Sequence, residues 1–276
     1  MRSILVALDD TPAGKATVSR AQEFAKARGA RVTGVCVVDT DWLAPAEPGR
    51  VGSIEFKERR DHARLAQARD AEKRLADAFL ASCGACGVAA DVLAVEGEPA
   101  ALLAEAAAAH DAIAIGRDSD LHGEPTDGVS RTVARLLKAT PRPVLLVPTA
   151  PAKSDGVLLA YDGSIPAART MQLLVLLGLT GGTRIEVVAV DRDRGKARRR
   201  ADTARRYLSL YGIASEIHAV ESADDPAGVV AERARAGGFG LLAMGAYGHT
   251  GLKETLLGSF TKTLLAECPT TLFVYH

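Results

Sequence analysis

Two stretches of this chain say nearly the same thing: SILVALDDTPAGKATVSRAQEFA at residues 3–25 and GVLLAYDGSIPAARTMQLLVLLG at residues 156–178. Each opens as a short apolar run, reaches an aspartate (Asp9, Asp162), turns through small and polar residues, and enters a helical pattern. The match continues outward. RVTGVCVVD (31–39) and RIEVVAVD (184–191) read as second strands ending at Asp39 and Asp191. GVAADVLAVEGEPAALLAEAAAAHDAIAIG (87–116) lies on GIASEIHAVESADDPAGVVAERARAGGFGLLAMG (212–245), and PVLLVP (143–148) on TTLFVY (270–275). A period of half the chain is far longer than a solenoid repeat, so it marks two whole domains. The linker is PTAPAKSDG (148–156), which sets the domains at 1–149 and 154–276.

Within each half the order reads β-α-β-α-β-α-β-α-β. The strands are short and apolar throughout, the pattern of strands covered on both faces by helices. Helices are expected over stretches such as Phe56–Leu80 and Ala197–Leu210. Alternating strands and helices imply right-handed crossovers. The fold class is α/β: two Rossmann-like domains, each a doubly wound five-stranded parallel sheet, in pseudo-two-fold tandem. The first half alone carries a Pro/Gly-containing insert, TDWLAPAEPGRVGS (40–53).

Composition removes several function classes. Lys and Arg together number 34, as do Asp and Glu, so no net field recruits nucleic acid or an anionic membrane. The apolar run in MRSILVALDD is too short for a signal peptide, and no stretch is long enough to span a membrane. Four cysteines do not make a disulfide framework. A soluble cytoplasmic protein is expected.

In doubly wound sheets ligands settle outside the carboxyl ends of the strands, where the winding reverses. Strands 1 and 4 flank that point, which brings the loop MGAYGHTGLKETLLGSF (244–260) opposite Asp162. The loop is neither a P-loop nor a Gly-x-Gly-x-x-Gly turn. Gly245 and Gly248 allow backbone conformations closed to other residues, and exposed N–H groups there can cradle an anion. Ser259 stands at a helix start, as N-cap or first-turn residue, where unsatisfied N–H groups suit phosphate. Ser259 and Thr261 add hydroxyl donors. The Asp162 carboxylate can accept from ribose hydroxyls or support a metal ion, as through nucleotide-bound Mg. On residues alone this is a nucleotide-phosphate site, or else a loop whose glycines only make a tight turn.

The spacing Gly245-x2-Gly248-x9-Gly258-Ser259 resembles the nucleotide-binding signature of the universal stress protein family, and the resemblance covers the chain once per half. It implies ATP as the ligand. Asp162 would contact the ribose, backbone at the place of Ala189 would hold adenine, and Gly245, Gly248, Gly258 and Ser259 would hold phosphates. The first half departs from this pattern. In AIAIGRDSDLHGEPTDGVSRTV (112–133) Gly116 and Gly128 remain, but Ser119 takes the second glycine's place and Val129 that of the serine. Asp118, Asp120, Glu124 and Asp127 put four carboxylates where an anion would sit. One ATP per chain, in the C-terminal half, is the expectation, with Asp9 kept in a half that binds nucleotide poorly or not at all.

Other features weigh less. Cys83-Gly-Ala-Cys86 closes a helix instead of opening one, so packing is favoured over redox or metal chemistry. The basic run Arg192–Arg206 reads as a solvated helix face. His249 either touches phosphate or is an exposed loop residue. No committed catalytic set appears beyond Lys253, His249 and Asp162, so a binding protein in the stress response is favoured over a slow ATPase or a nucleotide-free scaffold. Family dimers pair through the last strand, which implies that PVLLVP and TTLFVY meet; a homodimer of tandem chains is the expected assembly.

Overall fold

The computed structural model describes residues 1–45, 54–121, 130–152, 154, 156–223, 225–246 and 258–276. The first half runs β1 (Ser3–Ala7), α1 (Pro12–Arg28), β2 (Arg31–Val38), α2 (Thr40–Leu43), α3 (Ile54–Cys86), β3 (Ala90–Glu96), α4 (Pro99–Ala107), β4 (Ala112–Gly116), α5 (Arg131–Ala139) and β5 (Val144–Val147). The second runs β6 (Val157–Ala160), α6 (Ile165–Leu176), β7 (Ile185–Asp191), α7 (Arg194–Leu210), β8 (Glu216–Glu221), α8 (Pro226–Ala236), β9 (Leu241–Gly245), α9 (Ser259–Glu267) and β10 (Thr271–Tyr275).

The strands form one ten-stranded sheet in the order β3-β2-β1-β4-β5-β10-β9-β6-β7-β8. Each half is the doubly wound order expected, with β1 beside β4 and β6 beside β9. Pairing is parallel inside each half. At the centre β10 lies antiparallel on β5, with Phe273 opposite Leu145. The last strands therefore meet within one chain and shield each other's edge. Both residues are buried in a core that runs from Ile4 and Ala114 to Leu159 and Leu241. Arginines of the first half fasten the second: Arg20 Nη2 donates to the Gly240 carbonyl at 3.0 Å, and Arg117 Nη1 to that of Cys268 at 2.6 Å.

Helix starts obey local chemistry. Thr11 caps α1 and Ser164 caps α6, each accepting from an amide three residues on (Gly14 and Ala167), with Pro12 and Pro166 in the first turns. Helix ends are also shared. Gly87 and Gly212 adopt φ of +73° and +70°, and behind them the Val88 and Ile213 amides donate to the Cys83 and Leu208 carbonyls. That common turn fixes the register of two helices of very different length. Glu72 of α3 stands at the place of Ala197 in α7, and Leu75 at the place of Arg200. It also confirms Cys83 and Cys86 at a helix end. Cys83 is fully buried, takes a hydrogen bond from Gln22, and has its thiol pushed up by burial; all four cysteines are free.

One detail of the repeat shifts. The Leu8 amide donates to Val35 and the Tyr161 amide to Val188, which sets Asp191 opposite Val38, not Asp39. Asp191 stays in the ladder, paired with Glu221, whereas Asp39 has left its strand to cap α2. The insert thus begins as a helical turn; 46–53 lie outside the described residues.

The second half holds a buried ion pair that the first lacks. Glu186 is 1% exposed, and Arg233 meets it with two hydrogen bonds, 2.6 and 2.5 Å. The register places Thr33 at the equivalent of Glu186. Removing one partner strands a buried charge, so Arg233→Ala should destabilise the chain by roughly 2–3 kcal/mol in urea denaturation. Adding Glu186→Thr should restore most of that loss; a double variant as unstable as the single one would show that the pair is not the cause.

Candidate functional site

The sheet has two crevices, at the carboxyl ends of β1 and β4 and of β6 and β9. They share a backbone plan and differ in what fills them. In the first, Asp9 is turned inward and only 6% exposed. Its Oδ1 accepts from the Thr11 amide at 2.8 Å and from the Thr11 hydroxyl; its Oδ2 accepts from the Ser119 hydroxyl. The carboxylate lies so close to α1 that a Cβ on Gly14 would sit 2.1 Å from Oδ1. Glycine at position 14 is what lets Asp9 fold back.

The start of α5 is filled in the same manner. Ser130 is its N-cap, accepting from the Val133 amide at 3.1 Å, and its hydroxyl touches the Asp120 carboxylate. Asp120 Oδ1 accepts from the Thr132 amide at 2.9 Å. A carboxylate of the chain therefore occupies the helix N-terminus, where unsatisfied N–H groups and the helix dipole favour an anion. Gly128, Val129, Glu124 and Asp127 lie outside the described residues; Asp118 pairs with Arg117 at 3.3 Å.

The second crevice is different at each of these points. Ala167 stands where Gly14 does, and its methyl occupies the place into which Asp9 folds. Asp162 is accordingly half-buried, accepting from the Ser164 amide at 2.9 Å. Beside it Tyr161 replaces Leu8; burial, then the Asp162 charge, pushes its phenol up, keeping the proton on it. At the start of α9 the N-cap is Gly258, with no side-chain hydrogen bond to the helix. Helix register sets Gly258 opposite Ser130, so the serine that caps α5 has no counterpart here. Among the described residues nothing lies within 4 Å of where a Gly258 Cβ would be. Ser259 is the first helical residue and exposed; Thr261 is buried, at the register of the buried Val133.

Two sequence expectations change in detail. Gly245 has no left-handed backbone; it is glycine because α6 comes close, and a Cβ would sit 2.5 Å from the Ala167 amide nitrogen. Ala189 is buried and paired with Ala219, and its backbone turns toward β8. The Val188 carbonyl faces β6 and that of Asp191 faces β8, so alternation turns Val190, not Ala189, toward the crevice. Gly248 and His249, with Lys253, lie outside the described residues.

The structure adds a residue that the sequence did not single out. Arg200 of α7 binds Asp191 Oδ2 at 2.5 Å, and its side chain passes 3.8 Å from where a Gly163 Cβ would be. The Asp193 amide at 3.0 Å, and then the Arg200 charge, hold the Asp191 carboxyl below its usual range. The pair walls the crevice beside Asp162. In the first half the same places hold Leu75 and Val38. Within the run Arg192–Arg206 nothing but helix register separates Arg200 from its solvated neighbours.

Comparison with known proteins agrees with this architecture. The sequence model of the Universal stress protein family matches residues 1–148 and again 154–276. The universal stress protein Slr1230 of Synechocystis is 26% identical over 159 residues, 57% of this chain; the chain spans about half of that relative, 55% of its length. The fold is shared with a universal stress protein from Archaeoglobus fulgidus, TM-score 0.73 at 17% identity over 99% of this chain and 97% of that one. An Arabidopsis thaliana protein of the same family, solved with AMP bound, covers 54% of this chain and 92% of its own at 13% identity and a TM-score of 0.36. With a family match in each half, the chain belongs to the universal stress protein family and carries its domain twice in tandem.

Proposed function

We propose that this chain is a stress-response protein that binds one adenine nucleotide, ATP, in its C-terminal half, and acts through occupancy of that site and not through turnover. The domains are taken as 1–149 and 154–276, in keeping with the family matches at 1–148 and 154–276. The observation that carries the reading is the contrast between the crevices. Where the first half uses Asp120 and Ser130 to satisfy a helix N-terminus, the second presents Gly258 without a side-chain cap. Where Asp9 folds onto α1 beside Gly14 and accepts from Thr11 and Ser119, Asp162 has Ala167 at the place of that glycine and accepts from the Ser164 amide.

These residues fit a nucleotide. The α9 start with Ser259 suits phosphate, and Gly245 lets the start of α6 lie close against the end of β9. Asp162 suits ribose hydroxyls, or a Mg ion carried in on the phosphates. Val190, one residue beyond Ala189, offers backbone groups to the base. Arg200 provides a planar cation against which a base can stack. Thr261, being buried, supports the helix. Gly248 and His249, proposed as phosphate contacts, lie outside the described residues.

Asp162→Ala should weaken ATP binding by roughly tenfold, the loss of a charge-assisted hydrogen bond. Ala167→Gly should weaken it several-fold without touching any ligand atom, by letting Asp162 fold onto α6 as Asp9 does on α1. Asp9→Asn should leave the affinity within about twofold. Calorimetric titration of ATP into each variant checks this; loss of binding in Asp9→Asn with none in Asp162→Ala would place the site in the wrong half.

A further inference from the structure

The first crevice is not fully closed. Beyond the carboxylates that seal its helix starts it keeps a cavity of about 170 Å³ at the ends of β1 and β2. Leu8, Val38, Leu43 and Leu75 make its walls apolar, and the indole of Trp42 flanks it. The lining also includes Asp9, Asp10, Asp39 and Glu72, and no basic side chain among the described residues. Three of these acids are engaged: Asp9 by Thr11 and Ser119, Asp10 by Lys15 at 2.9 Å, and Asp39 by the Trp42 amide at 3.0 Å. Glu72 is not. Its Oε1 is shut off from water and has no hydrogen-bond partner.

Glu72 is the anomaly of the repeat. Its register in the second half is Ala197, which is fully buried. Glu72 itself is half-buried with Oε1 enclosed, and an ionised carboxylate so placed is costly unless something pairs with it. Among the described residues none hydrogen-bonds its Oε1: Arg69, one turn away, acts on it only through its charge and gives its hydrogen bonds to Glu96 at 2.8 and 2.9 Å. The neighbouring Cys36 thiol, at the register of Ala189, gives its hydrogen bond to the Glu72 backbone carbonyl at 3.7 Å, and burial pushes it up to about 12. It cannot neutralise the carboxylate. The acidic lining of the cavity disfavours a nucleotide.

We propose that this cavity is a binding site for a small organic ammonium ion, with the cationic nitrogen on Glu72 and the apolar body between Trp42 and the leucines. A carboxylate beside an aromatic face and aliphatic walls matches such an ion: charge-assisted hydrogen bonds at the ammonium end, aromatic and hydrophobic contact along the apolar body. The tandem chain then reads two different ligands with one fold, an anionic one in the second half and a cationic one in the first.

The site carries its own pH signature. Burial, and then the Glu96 charge, push the Glu72 carboxyl up to about 7, against the opposing pull of Arg69. The groups facing it are Cys36 on β2, Glu96 on β3, Arg69 on α3, and Asp9, Asp10 and Asp39 at the rim. Ammonium binding should strengthen as pH rises through about 7, because Glu72 must ionise. Without ligand the sign reverses. A carboxyl raised in the folded state contributes stability that is present below its unfolded value and lost as pH rises through the folded one. Thermal stability of the native chain relative to Glu72→Gln should therefore fall between about pH 5 and pH 8.

Trp42 is the chain's single tryptophan, so its emission reports occupancy directly. Titrating the full chain with 2-phenylethylamine at about pH 8 should give a saturable change, weakened at least roughly tenfold by Glu72→Gln and by Leu75→Arg, which brings in the second half's cation. The anionic analogue 3-phenylpropionate should give none, and saturating ATP should not compete. Absence of a saturable change in the native chain would overturn the assignment. So would equal affinity for the anion, or an unchanged affinity in a Glu72→Gln chain whose circular dichroism is native.

Discussion

Everything in this molecule hangs on the antiparallel pairing of β5 with β10. A doubly wound parallel sheet ends on one side with its last strand, and an unpaired apolar edge there would recruit other chains. Pairing Val144, Leu145 and Leu146 with Val274, Phe273 and Leu272 removes both edges at once and makes one core of two. Because that pairing relates the halves by a pseudo-two-fold axis, each crevice keeps its own helix starts and strand ends. The halves can then diverge in chemistry without disturbing each other's backbone.

The divergence is small in atoms and large in consequence. A glycine against an alanine, Gly14 and Ala167, decides whether an aspartate folds inward or stays at the mouth. A serine against a glycine, Ser130 and Gly258, decides whether a helix N-terminus is satisfied by the chain. In the first half Asp120 accepts from the Thr132 amide at the helix start, and on the proposed reading that like charge would keep phosphate out. Glu72 and Leu75 against Ala197 and Arg200 then invert the charge of the wall.

Much of this was legible in the residues, and the rest was not for definable reasons. The repeat set two five-stranded sheets and their strand order, because apolar strands with helical crossovers admit few windings. It also brought the end of β6, which leads to Asp162, beside β9. Register at element ends was harder. Asp39 and Asp191 look equivalent, yet only hydrogen bonding shows that one is still in its strand. Glu72 was hidden inside a helix far longer than α7, with a shared helix end as the sole ruler. The orientation of Val190 depends on strand alternation that letters do not display. The reason for Gly245 is the approach of α6, a tertiary contact with no local signature.

The proposal of one nucleotide site per chain is tested most directly by counting nucleotides. The purified protein is saturated with ATP, freed of excess, denatured, and the released nucleotide identified by mass and quantified against protein. One adenine nucleotide per chain is expected. Two would contradict the internal sealing by Asp9 and Asp120, and none would contradict the site proposed at Asp162 and the start of α9.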